Sequence, residues 1–207
     1  MRPPRFIYFD LGNVLLTFDH DLACAAMGRL ANAPADRVHA ALFEDGLEHA
    51  YERGEISTEQ FYQRLCESLG ARPDKAALLH AASDMFAINA PVVPLVTGLF
   101  SAGWRPGVLS NTCEAHWNLV TDGRFRMMND LFGVTALSFR IGAMKPEPVI
   151  FTAAAELAGA PPEDIFFVDD RAENVAAARE AGFDAVLFTT AATLTAELRA
   201  RRVAMNL

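Results

Sequence analysis

The chain has 207 residues, 52% of them hydrophobic, and a net charge of −8. That length supports one packed core, or one with a modest insertion, and an acidic balance with no basic stripe excludes nucleic acid as an expected partner. No apolar run reaches the roughly 18 residues that would suggest a membrane span. The opening MRPPRFIYFD lacks the long apolar region of a secretory signal. Three scattered cysteines, Cys24, Cys66 and Cys113, read as small buried hydrophobes in a reducing compartment. A cytoplasmic protein is expected, as a monomer or homodimer.

In chain order, Arg5 to Phe9 is a short apolar and aromatic run that stops at Asp10, the pattern of a buried strand. Gly12 and Asn13 then suit a tight turn. From about Thr17 to Ala87 no strand is expected. Four segments carry helical spacing instead: DLACAAMGRLANA, ADRVHAALFEDGLEHAYERG, TEQFYQRLCESLG and DKAALLHAASDMFA. Ser57 with Gln60 predicts a capping box for the third, and Pro73-Asp74 opens the fourth. After Pro91 helices and strands alternate. Helices are predicted over 92–101, 114–120, 147–158, 173–181 and 192–201, and strands over 105–110, 134–139, 165–168 and 185–188. Apolar strands alternating with helices imply a parallel sheet covered on both faces, a Rossmann-like α/β core. The core is assigned to residues 1–16 and 89–207, and 17–88 becomes an all-helical insertion lying over the sheet, with hinges near 14–18 and 87–91.

In such sheets ligands bind outside the carboxyl ends of the strands. The first strand ends at Asp10 and the second at Ser110-Asn111-Thr112. Lys145-Pro146 follows the third, and the fourth ends at Asp169-Asp170. Each residue has a plain structural reading when taken alone. Asp10 can form a turn, Asn111 with Glu114 can cap a helix, and Lys145 can be a solvated charge. Two features favour chemistry. Lys145 is one of only two lysines in a chain otherwise rich in arginine, and a compact ammonium is not interchangeable with a guanidinium. Adjacent carboxylates at a buried strand end repel each other unless a cation intervenes.

The motifs FIYFDLGNV, VLSNT, MKPEP and FFVDDRAEN, in that order and each at a strand end, resemble the four motifs of the haloacid dehalogenase superfamily. The helical insertion resembles that family's type 1 cap. More narrowly, DLGNV, ERGEIS and FF-x-DD are similar to the branch of bacterial phosphatases that includes alpha-D-glucose-1-phosphate phosphatase. The resemblance implies a phosphatase that is Mg²⁺-dependent and acts on a small phosphorylated metabolite, such as a sugar phosphate. It implies that Asp10 attacks phosphorus and also ligates the metal, with the Gly12 carbonyl and Asp170 as further ligands. Ser110 and Asn111 would hold phosphate oxygens. Lys145 would pair with the nucleophile and the transferring group, and Asp169 and Asn174 would support the metal from behind.

The chain departs from this pattern at one place. Phosphatases of the family place a second aspartate, the general acid and base, where this sequence has Gly12. Such catalysis contributes about 10²–10⁴-fold. Three outcomes stay open. A good leaving group, such as the anomeric oxygen of a sugar 1-phosphate, departs unaided. Or a cap residue substitutes, with His49, Glu52 and Glu55 as candidates. Or the chain is slow or inert. The alternatives to a phosphatase are a 2-haloacid dehalogenase and a non-catalytic phosphate-binding protein. The five histidines are scattered and read as structural or surface residues.

Overall fold

The computed structural model describes residues 3–206. The ends of the assigned core, residues 1, 2 and 207, lie outside the described residues. Strand β1 (Phe6–Phe9) is the centre of a five-stranded parallel sheet. The other members are β4 (Gly107–Ser110), β5 (Val134–Leu137), β6 (Ile165–Asp169) and β7 (Asp184–Leu187), in the order β5-β4-β1-β6-β7. The expected α/β architecture is therefore present. These strands lack an apolar/polar alternation because both faces are covered.

Successive residues nevertheless divide between two cores. Ile7, Phe9, Val108, Phe166 and Val168 pack on one face with Leu95, Val96 and Leu99 of α6 (Val93–Ser101) and Leu194 and Leu198 of α12 (Ala191–Ala200). Tyr8, Leu109, Ile165 and Phe167 pack on the other face. Their partners are Ile150, Phe151 and Ala154 of α10 (Pro148–Ala158) and Val175 and Ala178 of α11 (Ala172–Glu180). Gly107 permits the closest part of this packing, since a Cβ there would lie 2.5 Å from the Tyr8 ring. Two short helices, α7 (Glu114–Val120) and α8 (Arg126–Asp130), add Trp117, Val120 and Met128 to the first of these cores, and a third, α9 (Ser138–Ile141), follows β5. The predicted strand over 134–139 stops at Leu137, and Ser138 already begins α9.

The insertion holds α1 (His20–Ala31), α2 (Ala35–Phe43), α3 (Leu47–Glu52), α4 (Thr58–Leu69) and α5 (Lys75–Ser83). The second predicted helix is two, because Gly46 takes φ +70° between α2 and α3, a conformation that ends a helix and suits glycine. The Ser57–Gln60 capping box is formed, and Asp74 caps α5 through the Ala77 N–H. These helices enclose their own apolar cluster, which includes Met27, Val38, Tyr51, Phe61, Leu65 and Leu78.

The expectation that 17–87 holds no strand is corrected. Residues Leu16–Phe18 (β2) and Phe86–Ile88 (β3) pair antiparallel, Leu16 with Ile88 and Phe18 with Phe86. This ribbon lies where the chain leaves the sheet layer and returns to it. Asn89 reinforces it by donating its side-chain amide to the Val14 carbonyl at 2.8 Å. Three-residue strands paired across such a separation leave no local period for a sequence window to detect.

Candidate active site

The carboxyl end of the sheet gathers the predicted polar residues. The Asp10 N–H donates to the Val168 carbonyl at 2.9 Å, so strand pairing between β1 and β6 continues one residue beyond β1. That pairing brings Asp10 beside Asp169 and Asp170, and a carboxylate oxygen from each lies within 4.8 Å of the others. Ser110, at the end of β4, flanks Asp10 on the other side.

Lys145 reaches the same point from the loop before α10. Its ammonium lies 2.7 Å from Asp10 Oδ1 and 2.6 Å from Asp169 Oδ2, and donates to the Leu109 carbonyl at 3.0 Å. All three ammonium hydrogens are thus engaged, and its side chain is 1% exposed. Burial opposes the Lys145 charge, but the two carboxylates outweigh it and hold its pKa above the ordinary value. The resemblance implied contact between Lys145 and the transferring group. In this geometry such contact requires Lys145 to give up a present partner.

Asn111 lines the cavity. Its side-chain amide donates to the Lys145 carbonyl at 2.9 Å, and its Oδ1 accepts the Lys145 N–H at 2.8 Å. This reciprocal pair positions the lysine. Ser110 Oγ lies at the cavity wall and donates to the Asn111 carbonyl at 3.1 Å.

Asp169 is completely buried, and both of its oxygens are occupied. Oδ1 accepts the Arg171 N–H at 2.8 Å and Asn174 Nδ2 at 3.0 Å, and Oδ2 accepts Lys145. Asn174 therefore buttresses Asp169. Asp170 instead lines the cavity, and its Oδ2 accepts Nδ2 of Asn13 at 3.0 Å. Asn13 adopts φ +54° to do so, a left-handed conformation that asparagine tolerates better than most residues.

The cavity measures about 310 Å³, and Gly12, His20, His49, Glu52 and Met85 join the sheet-end residues on its wall. Phe18 and Glu52, both on the cavity wall, bear on the departure at Gly12. A Cβ at Gly12 would meet the Phe18 ring at 2.9 Å, so β2 fills the space of the missing side chain. Glu52, the last residue of α3, faces the same cavity from the helical layer. Burial, with the nearby Asp10 charge, pushes its carboxyl up to about 7 against the opposing pull of Lys145 and Arg171. Burial pushes Asp10 up to about 7 as well, with Asp169 adding to the shift and Lys145 opposing it.

The ERGEIS segment docks the helical layer onto the sheet layer. The Glu52 carbonyl accepts the Ser138 hydroxyl at 2.6 Å. Arg53 forms a two-point pair with Glu147, two residues beyond Lys145, with Nη2 to Oε2 at 2.9 Å. Gly54 takes φ +76°, and a Cβ there would lie 2.3 Å from the Phe139 carbonyl oxygen. Of the three candidates for the missing acid, His49 and Glu52 line the cavity, whereas Glu55 is exposed and pairs with Arg53. Ser138 and Asn13 escaped the sequence reading, because one serine or asparagine beside a strand or turn carries no distinctive signal.

A family model described as haloacid dehalogenase-like hydrolase matches residues 5–182. Among curated proteins, the chain is similar to D-ribitol-5-phosphate phosphatase of Bacteroides thetaiotaomicron. The two are 26% identical over 186 residues, which cover 86% of this chain and 88% of that one. Among solved structures, a HAD family enzyme from Bacteroides thetaiotaomicron, in complex with magnesium and inorganic phosphate, has a TM-score of 0.80 at 26% identity. That match covers 90% of this chain and 95% of that chain. A HAD-like family hydrolase from Porphyromonas gingivalis has a TM-score of 0.81 at 26% identity, covering 95% of this chain and 98% of that one.

Proposed function

The chain belongs to the haloacid dehalogenase-like hydrolases, and from that premise we propose that it is a magnesium-dependent phosphatase of small sugar or polyol phosphates, acting through an aspartyl-phosphate on Asp10. The observation that carries this reading is the contact of Lys145 with both Asp10 and Asp169, beside Asp170, on the floor of a cavity. The similarity to a ribitol-phosphate phosphatase supports the substrate class. So does a cavity of about 310 Å³, near the lower end of the range for small-molecule sites.

The donor set fits magnesium. Three carboxylates meet here against one ammonium, an imbalance that a divalent cation corrects, and the donors of this group are oxygens, as magnesium prefers. Asp10, Asp170 and the Gly12 carbonyl would hold it, with Asp169 and Asn174 behind them. Bound there, it supplies positive charge to the nucleophile and to the phosphate oxygens.

The remaining work falls to side chains. An Asp10 carboxylate oxygen bonds to phosphorus as the ester P–O bond breaks. Glu52 gives its proton to the departing oxygen. It then takes a proton from the water that attacks the aspartyl-phosphate, which releases phosphate and restores both carboxyl groups. Ser110 anchors a phosphate oxygen, and Asn111 holds Lys145 in register. Residues 17–88 serve as the lid that closes this chamber, on a frame formed by 1–16 and 89–207.

With Glu52 as proton donor, an anomeric leaving group is no longer required. Glu52→Gln is therefore expected to lower kcat/KM, which reports transfer of the phosphoryl group to Asp10, about 10²–10³-fold on alkyl phosphates such as polyol 5-phosphates. The kcat/KM for an aryl phosphate, whose leaving group needs little protonation, should fall less than tenfold, while kcat falls for both through the shared hydrolysis of the aspartyl-phosphate. An equal loss of kcat/KM on both classes would remove Glu52 from this role.

The proposal as a whole is tested with a panel of phosphorylated five- and six-carbon sugars and polyols. Hydrolysis is expected with Mg²⁺ and is expected to stop on chelation. Turnover that survives chelation would contradict the proposed metal site, and silence across the panel would favour a binding protein.

A further inference from the structure

A second group of ligating side chains lies beside the cavity, with His116 on its wall. Glu48 is on α3 in the helical layer, Cys113 immediately precedes α7 in the sheet layer, and His116 is in the first turn of α7. One carboxylate oxygen, the thiol sulfur and one imidazole nitrogen all lie within 4.8 Å of one another. Glu48 Oε1 and His116 Nε2 are 3.8 Å apart, too far for a hydrogen bond. Cys113 is 1% exposed and His116 5%. Glu48 Oε1 is buried and has no hydrogen-bond partner among the described residues. A buried carboxylate oxygen left without a donor is costly, so a partner of another kind is the physical expectation.

We propose that Glu48, Cys113 and His116 form a zinc site that joins the helical layer to the sheet layer. Sulfur, nitrogen and one oxygen are the donors that zinc takes and magnesium avoids. Charge also balances. Zn²⁺ with one thiolate, one carboxylate and a neutral imidazole is uncharged, as a buried site requires. On binding, the Cys113 thiol and the Glu48 carboxyl each release any proton they carry to solvent, and no electron is transferred. Tetrahedral separations are about 3.3–3.8 Å for zinc bonds of about 2.0–2.3 Å, and the 3.8 Å between Glu48 Oε1 and His116 Nε2 already lies at the upper end of that range. A cavity of about 10 Å³, lined by His20, Cys24, Glu48 and His116, adjoins the group and leaves room for about one water as the fourth ligand.

The site shares no ligand with the proposed magnesium site, so its test reads binding rather than turnover. Cobalt(II) is the probe, because a thiolate ligand gives it an intense near-ultraviolet charge-transfer band. The metal-free full chain is expected to develop that band with one equivalent of Co²⁺ and to lose it when Zn²⁺ is added. Millimolar Mg²⁺ should not remove it. Cys113→Ala and Glu48→Gln should lose or strongly weaken the band, whereas Asp10→Asn and Cys24→Ala should keep it. Zinc should also raise the Tm of the unmodified chain in a concentration-dependent way. Absence of the band in the unmodified chain would overturn the proposal whether or not the variants fold. So would a band that persists in Cys113→Ala or disappears in Cys24→Ala.

Discussion

Asp10→Asn is expected to reduce phosphate release by at least ~10⁴-fold, by analogy with the loss of other covalent nucleophiles, while leaving the fold intact. The substitution keeps an oxygen able to accept from Lys145 and the Leu11 N–H, which Oδ1 now does at 2.7 Å in each case. It removes one negative charge from a group of three carboxylates. The metal-free variant should therefore melt at the same temperature as the parent or higher, because like charges are costly in a buried setting. Loss of activity with an undiminished Tm is the signature of a nucleophile. Turnover within tenfold of the parent would remove Asp10 from that role. Loss accompanied by a lower Tm would mean that the carboxylate serves the structure.

Lys145→Met is expected to cost both activity and stability. The side chain is 1% exposed and lies against Asp10 and Asp169, which are 10% and 0% exposed in their side chains. Methionine keeps the bulk but leaves two buried acids without their cation. Breaking a buried pair in this way costs roughly 3–5 kcal/mol, a Tm drop on the order of 10 °C for a chain of this size. Activity should fall with it, because the ammonium is the charge that opposes protonation of Asp10. A second substitution separates the two effects. Adding Asp169→Asn to Lys145→Met removes one orphaned charge, so the double variant should melt above the single one, a non-additivity expected of residues that share one network. Activity should not return with stability, since Asp10 still lacks its ammonium. An unchanged Tm in Lys145→Met would show that the buried ion pair does not operate.

These two residues were also the most legible ones. Strands such as Phe6–Phe9 and Ile165–Asp169 announce themselves as apolar runs, because a sheet covered on both faces excludes polar side chains until the strand ends. The first polar residue after each run then falls at the carboxyl edge without further information. Asp10, Ser110 and Asp169 could be placed together on that ground alone. Lys145 stood out through the scarcity of lysine, although its contacts were not visible. Asn111 was found, but not its contacts. Its pairing with the Lys145 backbone depends on how the loop before α10 folds back onto β4, which no local pattern encodes.

By itself, then, the sequence determined the α/β class, the helical insertion, the order of strand ends and the absence of an acid at Gly12. All of these follow from periodicity and from the identity of single residues. Tertiary structure decided what compensates for Gly12. Phe18 fills the vacant space, and the pairing that places it joins Leu16–Phe18 to Phe86–Ile88. Glu52 reaches the cavity because Gly54 lets the end of α3 approach Phe139 and because Ser138 holds the Glu52 carbonyl. Contacts between residues so far apart in the chain leave no period in either segment. They are selected only when the two surfaces meet, and that meeting brings the Glu52 carboxyl of the helical layer to the cavity that Asp10 lines.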